Sequence, residues 1–213
     1  AFFRTGHAGL DAPQDHAFIA LIDKLACKLG VKYILNGYNI STEVVSNPKS
    51  WEDNAGYSGD GTYIKDVIRK HCDIKIKKYT FTSGFKHKVW IPYVLGVKTL
   101  KPLNLVPITK TQMVDTLINE YGYEPYGQKH FEDLLTKFIE GWWLPTRFGY
   151  DIRKAQLSSL VTTGQMTRDE ALAILENPPL SEEESMELFK IVAERMGVSE
   201  DELWRLHKLP ECT

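Results

Sequence analysis

The sequence has little cysteine, no long apolar run and no excess of either charge. Its three cysteines, Cys27, Cys72 and Cys212, lie far apart and match no zinc-ligand spacing. An odd, sparse set argues against a disulfide framework and fits a reducing compartment. No apolar stretch approaches the roughly 20 residues that a bilayer-spanning helix needs, so no membrane insertion is expected. Lysine and arginine number 26 against 28 aspartate and glutamate, interleaved for a net charge of −2. That balance lacks the basic footprint of a nucleic-acid binder, so no nucleic-acid partner is expected. The opening Ala1-Phe2-Phe3-Arg4 has neither a Met nor the basic, apolar, small-residue order of a secretion signal. Together these absences predict a cytoplasmic protein whose first residue is a break inside a longer gene product.

What remains is ordinary globular composition: 213 residues, 43% hydrophobic and 25% charged, enough to bury a sizeable core. Phe18, Leu21, Ile22, Leu25 and Leu29 recur at helical spacing and predict an amphipathic helix over 15–29, stopped by Gly30. The short run Val31 to Leu35, bounded by Gly30 and Asn36-Gly37, reads as a buried strand. Helix, tight turn and strand suggest half of a parallel α/β unit. A polar stretch from Ile40 to Thr62, with Trp51 and Tyr57, is too long for a plain connection. A second helix is predicted over 62–71 and a strand around 97–105, interrupted by Pro102. The basic, aromatic segment 75–90 fits no element.

Beyond Pro107 the pattern turns helical, with start signals written out. Thr109 with Gln112, Thr167 with Glu170, Ser181 with Glu184 and Ser199 with Glu202 all have capping-box form. Gly122, Gly164 and Gly197 stand where helix ends need a left-handed residue. Phe131, Leu134, Leu135, Phe138, Ile139 and Trp142 form another apolar stripe. The fold class expected is α/β, a parallel-sheet part over residues 1–108 followed by a helical region over 109–213.

Four segments hold residue types that bind or react. Asn36, Gly37, Asn39, Thr42 and Glu43 follow the predicted strand, and parallel sheets bind ligands beyond the carboxyl ends of their strands. Gly37 would permit close backbone approach there, though a polar turn reads the same way. Asp15 and His16 lie at the first helix, where Asp15 can cap the helix and His16 would sit on the surface. Lys129, His130 and Glu132 place cations beside a carboxylate at a helix start, an arrangement suited to phosphate. Arg147, Arg153, Lys154 and Arg168 concentrate positive charge around a helix hairpin.

The run Gly149-Tyr150-Asp151-Ile152-Arg153-Lys154-Ala155-Gln156-Leu157-Ser158-Ser159-Leu160, continuing to Leu172, resembles the carboxy-terminal signature of the N-acetyl sugar amidotransferase family of bacterial surface-polysaccharide pathways. Pro13 to His16, Lys32 to Glu43 and Tyr126 to Glu132 resemble segments of the same family in the same order. The helix start at Gly197 to Glu202 is similar, less specifically. Lys137 and Gln156 depart from the family pattern, which has Arg and His there; lysine keeps the charge but loses the guanidinium fork.

The resemblance implies a PP-loop ATP pyrophosphatase with an adenine nucleotide alpha hydrolase-like core. Such enzymes cradle the pyrophosphate of ATP in an amino-terminal Ser-Gly-Gly-x-Asp-Ser loop, and this sequence has none. The implied reaction converts an acetamido group of a nucleotide-linked sugar to an acetamidino group through an adenylated intermediate. It would use ATP, Mg²⁺ and ammonia from a separate glutaminase subunit. On this reading Glu43, Lys129, His130 and Arg153 are catalytic. Asn36, Gly37, Asn39, Thr42, Lys154 and Arg168 bind the nucleotide or sugar nucleotide, and Asp15 and Glu43 contact metal. Without the loop the chain alone is expected to be inactive. Another PP-loop enzyme, tRNA-modifying or amide-forming, and a non-catalytic sugar-binding or docking fragment are the alternatives.

Overall fold

In a computed structural model, residues 1–43, 59–71, 76–125 and 127–210 are described. Trp51, Tyr57, Cys72, Tyr126 and Cys212 lie outside the described residues. The described chain is mostly helical, with one two-stranded parallel sheet. It divides into two compact units. The first holds the described residues of Ala1–Asn36, Glu52–Pro102 and Leu209–Thr213; the second holds those of Gly37–Trp51 and Leu103–Lys208.

In the first unit, helix α1 (Ala12–Leu29) starts earlier than expected. Pro13 occupies its first turn, where a missing N–H costs nothing, and Gly30 closes it at φ 68°. Asp11 therefore takes the cap position, and Asp15, the residue expected to cap, lies inside the first turn. The apolar stripe expected in the core is exposed: Phe18 57%, Leu25 51% and Leu29 71%. The buried face is instead Ala12, His16, Ala20, Asp23 and Ala26. The three alanines let α1 approach helix α2 (Gly61–His71) and the segment Lys86–Val94 closely.

Two polar contacts fix this packing. His16, expected on the surface, is wholly buried; its Nε2 accepts the Thr82 N–H at 3.1 Å and its ring stacks on Tyr79. Buried Asp23 meets His87 Nδ1 at 2.8 Å. Segment Lys86–Val94, which begins within the run 75–90 that fits no element by sequence and extends beyond it, is a π-helix containing Pro92. Its wide hydrogen-bond ring shows at the end, where the Leu95 N–H reaches the Trp90 carbonyl at 3.0 Å.

Strands β1 (Tyr33–Leu35) and β2 (Lys98–Leu100) pair in parallel, Ile34 opposite Thr99. The expected parallel pair is present, but it is not buried. Tyr33, Leu35 and Leu100 are exposed and only Ile34 is half-buried. Parallel sheets ordinarily have both faces covered; this pair and the stripe on α1 present apolar surface to solvent.

The second unit carries the larger core. Helix α3 (Lys110–Tyr121) is followed, after a loop, by α4 (Leu134–Phe138), a π-helical segment Ile139–Trp143 and α5 (Leu144–Phe148), the last three running directly into one another. Then come α6 (Arg153–Thr162), α7 (Arg168–Leu175), α8 (Glu182–Met196) and α9 (Glu200–His207). Reciprocal capping boxes form at Thr109, Thr167 and Ser181. Ser199 accepts from the Glu202 N–H, while the Glu202 carboxylate holds Arg205. Phe138, Trp142, Trp143, Phe189, Trp204 and His207 pack ring against ring.

Within the π-helical segment all five residues are buried, including Glu140 and Gly141. A Cβ on Gly141 would come within 2.7 Å of Leu180 Cδ1 and 3.1 Å of Phe131 Cζ. Gly141→Ala is therefore expected to lower stability by about 1–3 kcal/mol, read from urea melts followed by tryptophan fluorescence. The His207 imidazole is pushed down to about 4, first by burial and then by the nearby Arg147 and Lys208 charges. Unfolded, it would titrate near about 6.5, so its contribution is intact above that pH and lost as pH falls toward 4. His207→Gln should flatten the fall in melting temperature between pH 7 and pH 5 relative to the parent chain.

Candidate functional site

The turn after β1 is split between the units. Asn36 stays with the first, its N–H donating to the Leu100 carbonyl at 2.8 Å. Gly37 to Glu43 belong to the second. A Cβ on Gly37 would meet nothing within 4 Å, and its φ is not left-handed. Packing against described residues therefore does not demand glycine there. Asn39 is buried and holds the turn together. Its Nδ2 donates to the Leu103 carbonyl at 3.0 Å and its Oδ1 accepts from the Ser41 N–H at 2.8 Å and from the Ser41 hydroxyl. Its carbonyl accepts the N–H groups of Thr42 and Glu43. Asn39, expected at a ligand, thus works as the internal frame of this turn.

That frame delivers Thr42 and Glu43 to the loop 127–130. The Lys129 ammonium forms an ion pair with the Glu43 carboxylate and donates to the Thr42 carbonyl at 3.4 Å. The loop itself is held by two left-handed residues, Gly127 at φ 83° and His130 at φ 69°. Beside it lies a cavity of about 240 Å³. Thr42, Gln128, Lys129, Lys110, Arg153 and Gln156 bring polar groups to it, and Leu157, Leu160, Met166 and Ile174 give it an apolar wall.

Three cations line this cavity in different states. Lys129 is paired with Glu43. Arg153 is buried and clamped: Nε lies 3.0 and 3.1 Å from the two Asp151 oxygens, and Nη2 lies 2.7 Å from Asp151 and 2.8 Å from the Asn177 carbonyl. Its Nη1 reaches the Ile174 carbonyl at 3.4 Å. Arg153 therefore ties the start of α6 to the end of α7, and this structural work stands beside the ligand role expected of it. Lys110 makes no ion pair among the described residues. Its backbone N–H is held by the Gln165 side chain at 2.8 Å, which fixes the start of α3 while leaving the ammonium free to meet an anion.

The other predicted residues lie elsewhere. Lys154 and Arg168 are exposed on α6 and α7 and do not line the cavity. Asp15 is exposed in the first unit, whereas Glu43 belongs to the second. Among the described residues no group of three or more His, Cys, Asp or Glu side chains is placed to hold a metal ion. The described residues thus do not by themselves form a ready Mg²⁺ site.

The loop residue His130 faces Glu140 across 3.1 Å from Nδ1 to Oε1. The imidazole pKa is held above its ordinary value. The Glu140 hydrogen bond is the main cause, burial opposes it, and the charges of Glu140, Lys129 and Glu43 follow. Glu140 and Lys110 were not picked out by residue type, while Gln128, Gln156 and Met166 lay within candidate segments without being given a role. Lys110 looked like an ordinary helix-start residue, and Glu140 sat within an apolar stripe.

Residues 132–213 match the family described as LPS biosynthesis protein WbpG-like, C-terminal domain. The match supports, in broad terms, the surface-polysaccharide resemblance seen in the sequence. It spans Glu140 and the cavity residues Arg153, Gln156, Leu157, Leu160, Met166 and Ile174, while the loop residues Gly127 to Lys129, Lys110 and Thr42 lie before it. No curated protein and no solved structure gives a significant match to the chain. No helix among the described residues is long and apolar enough to cross a membrane.

Because the Arg153–Asp151 pair is largely buried, Arg153→Ala leaves a carboxylate without its cation. The expected loss is about 3 kcal/mol in chemical denaturation, near the lower end for breaking a buried pair.

Proposed function

We propose that the chain acts in lipopolysaccharide biosynthesis as the sugar-recognising portion of an ATP-dependent N-acetyl sugar amidotransferase. The observation that carries this reading is the cavity beside Lys129, much of it built by the segment that matches WbpG-like carboxy-terminal domains. Its volume lies below the roughly 300–1,000 Å³ common for drug-sized ligands, which suits a sugar ring better than a whole nucleotide. Leu157, Leu160, Met166 and Ile174 would take an acetamido methyl and the apolar face of a sugar. Gln128 and Gln156 can hydrogen-bond to hydroxyls or to the acetamido oxygen. Lys110, with no ion pair among the described residues, is the cation best able to meet a phosphate of the sugar nucleotide.

The finer chemistry is that of the resemblance: the acetamido oxygen is activated as an adenylate, and ammonia from a glutaminase partner replaces AMP. The residues present do not fit the triphosphate, since the Ser-Gly-Gly-x-Asp-Ser cradle is absent from the sequence. No step through ATP is therefore assigned to them. The nucleotide-binding part of an adenine nucleotide alpha hydrolase-like core would be supplied from outside these 213 residues, in the cytoplasm. The uncovered apolar stripe on α1 and the uncovered parallel pair β1 and β2 support that reading. The missing cradle also favours one competing reading, a non-catalytic sugar-binding or docking fragment.

The test is pyrophosphate release and amidine formation by the full-length protein with ATP, Mg²⁺, ammonium and acetamido sugar nucleotides. Lys129→Ala is expected to lower amidine formation at least about tenfold, the loss of one charge-assisted contact. Unchanged turnover removes Lys129 from the site. Sugar-nucleotide binding without any pyrophosphate release supports the fragment instead.

A further inference from the structure

The surroundings of His130 are built at a cost that packing alone does not explain. Among the described residues it is the sole non-glycine residue with a left-handed backbone, a conformation that persists only where its surroundings enforce it. Its partner Glu140 sits in the π-helical segment Ile139–Trp143, a rare winding that recurs at functional sites. There Glu140 is buried. Oε1 meets His130 Nδ1 at 3.1 Å, and Oε2 has no hydrogen-bond partner among the described residues. Burying a carboxylate with one oxygen unsatisfied is unfavourable. An apolar residue here would make the more stable core.

We propose that Glu140 positions His130, the chain neighbour of the cavity residue Lys129, as a proton-exchanging group. It fixes a proton on Nδ1 and leaves Nε2 to take one from ammonium when free ammonium, rather than ammonia delivered by a partner, supplies the transferred nitrogen. This rests on the amidotransfer reading. The proton balance is simple. Ammonium gives one proton to the neutral imidazole, ammonia is left with a free lone pair for attack, and the imidazolium is stabilised by the Glu140 carboxylate. The groups bearing on the imidazole are Glu140 from the π-helical segment, Lys129 from its own loop and Glu43 from the turn after β1. Two of these three are carboxylates, so their sum favours the protonated ring, and a base above the ordinary imidazole range is better matched to a weak acid such as ammonium. Glu140 touches neither ligand nor ammonia on this account and acts through His130 alone.

The experiment is a long-range ¹H–¹⁵N titration of the 213-residue chain carrying ¹⁵N-labelled histidine. The neutral His130 ring should carry its proton on Nδ1, with a midpoint above that of free histidine. Glu140→Gln should lower that midpoint by about half a pH unit or more, and Glu140→Asp should restore part of it, with circular dichroism confirming the fold of each. An Nε2–H tautomer in the parent chain, or an unchanged midpoint in Glu140→Gln, overturns the proposal. The parent tautomer decides the matter even if both variants fail to fold. In the full-length enzyme with ammonium as nitrogen source, the acidic limb of kcat/KM should move by the same amount as the midpoint. A limb that stays in place while the midpoint moves overturns the proton transfer. A midpoint that moves in a protein forming no amidine overturns the amidotransfer reading, and with it ammonium as the proton donor, while the pairing of Glu140 with His130 stands.

Discussion

The ion pair between Lys129 and Glu43 joins two stretches of sequence 86 residues apart. One is the turn after β1, framed by Asn39; the other is the loop 127–130, held by two left-handed residues. Where they meet, Thr42 reaches the cavity rim and Lys129 is held beside it, while the same two charges bear on the His130 ring. A partly exposed pair contributes little stability by itself. Its value is positional: it sets where a ligand between the turn and the helix hairpin would find its donors. Lys110 and Gln156 then extend the polar rim from α3 and α6.

Much of the helical unit was legible from residue type. Hydroxyl residues three positions before Gln or Glu start α3, α7 and α8, and Gly122 and Gly197 end α3 and α8, because these residues satisfy orphan backbone groups locally. Such chemistry needs no tertiary information. The strand β1 and the parallel character of the sheet also followed from the run Val31 to Leu35 bounded by turn residues, although the burial expected of that strand did not. Of the candidate site, Thr42, Glu43 and Lys129 do lie together, with both charges bearing on His130; it was the family resemblance, and not residue type, that put these segments in one site.

The remainder was hidden for physical reasons. Periodicity reads an amphipathic helix as burying its large apolar face, yet α1 buries alanines, His16 and Asp23 because close approach to its neighbours needs small side chains. Its larger face is left for a surface the described residues do not provide. Periodicity also assumes 3.6 residues per turn. In Ile139–Trp143 the winding is wider and all five residues are buried, so Glu140 and Gly141 lie inside although they interrupt the apolar pattern. Charge counting overvalued Lys154 and Arg168, which are simply solvated, and could not foresee that Arg153 would be clamped by Asp151 and two carbonyls. Lys110, the cavity cation with no ion pair to a described residue, gave no signal because nothing local marks it apart from a helix start.

The central claim is that the turn holding Glu43, the loop holding Lys129 and the α6–α7 hairpin form one binding site. Titration of the isotopically labelled chain with a nucleotide-linked acetamido sugar, followed by amide and side-chain chemical shifts, tests it directly. The account predicts saturable shifts that include Thr42, Lys110, Gln128, Lys129 and Gln156 together, all with one dissociation constant. Shifts confined to only one of these segments, or no saturable shift at all, would contradict it.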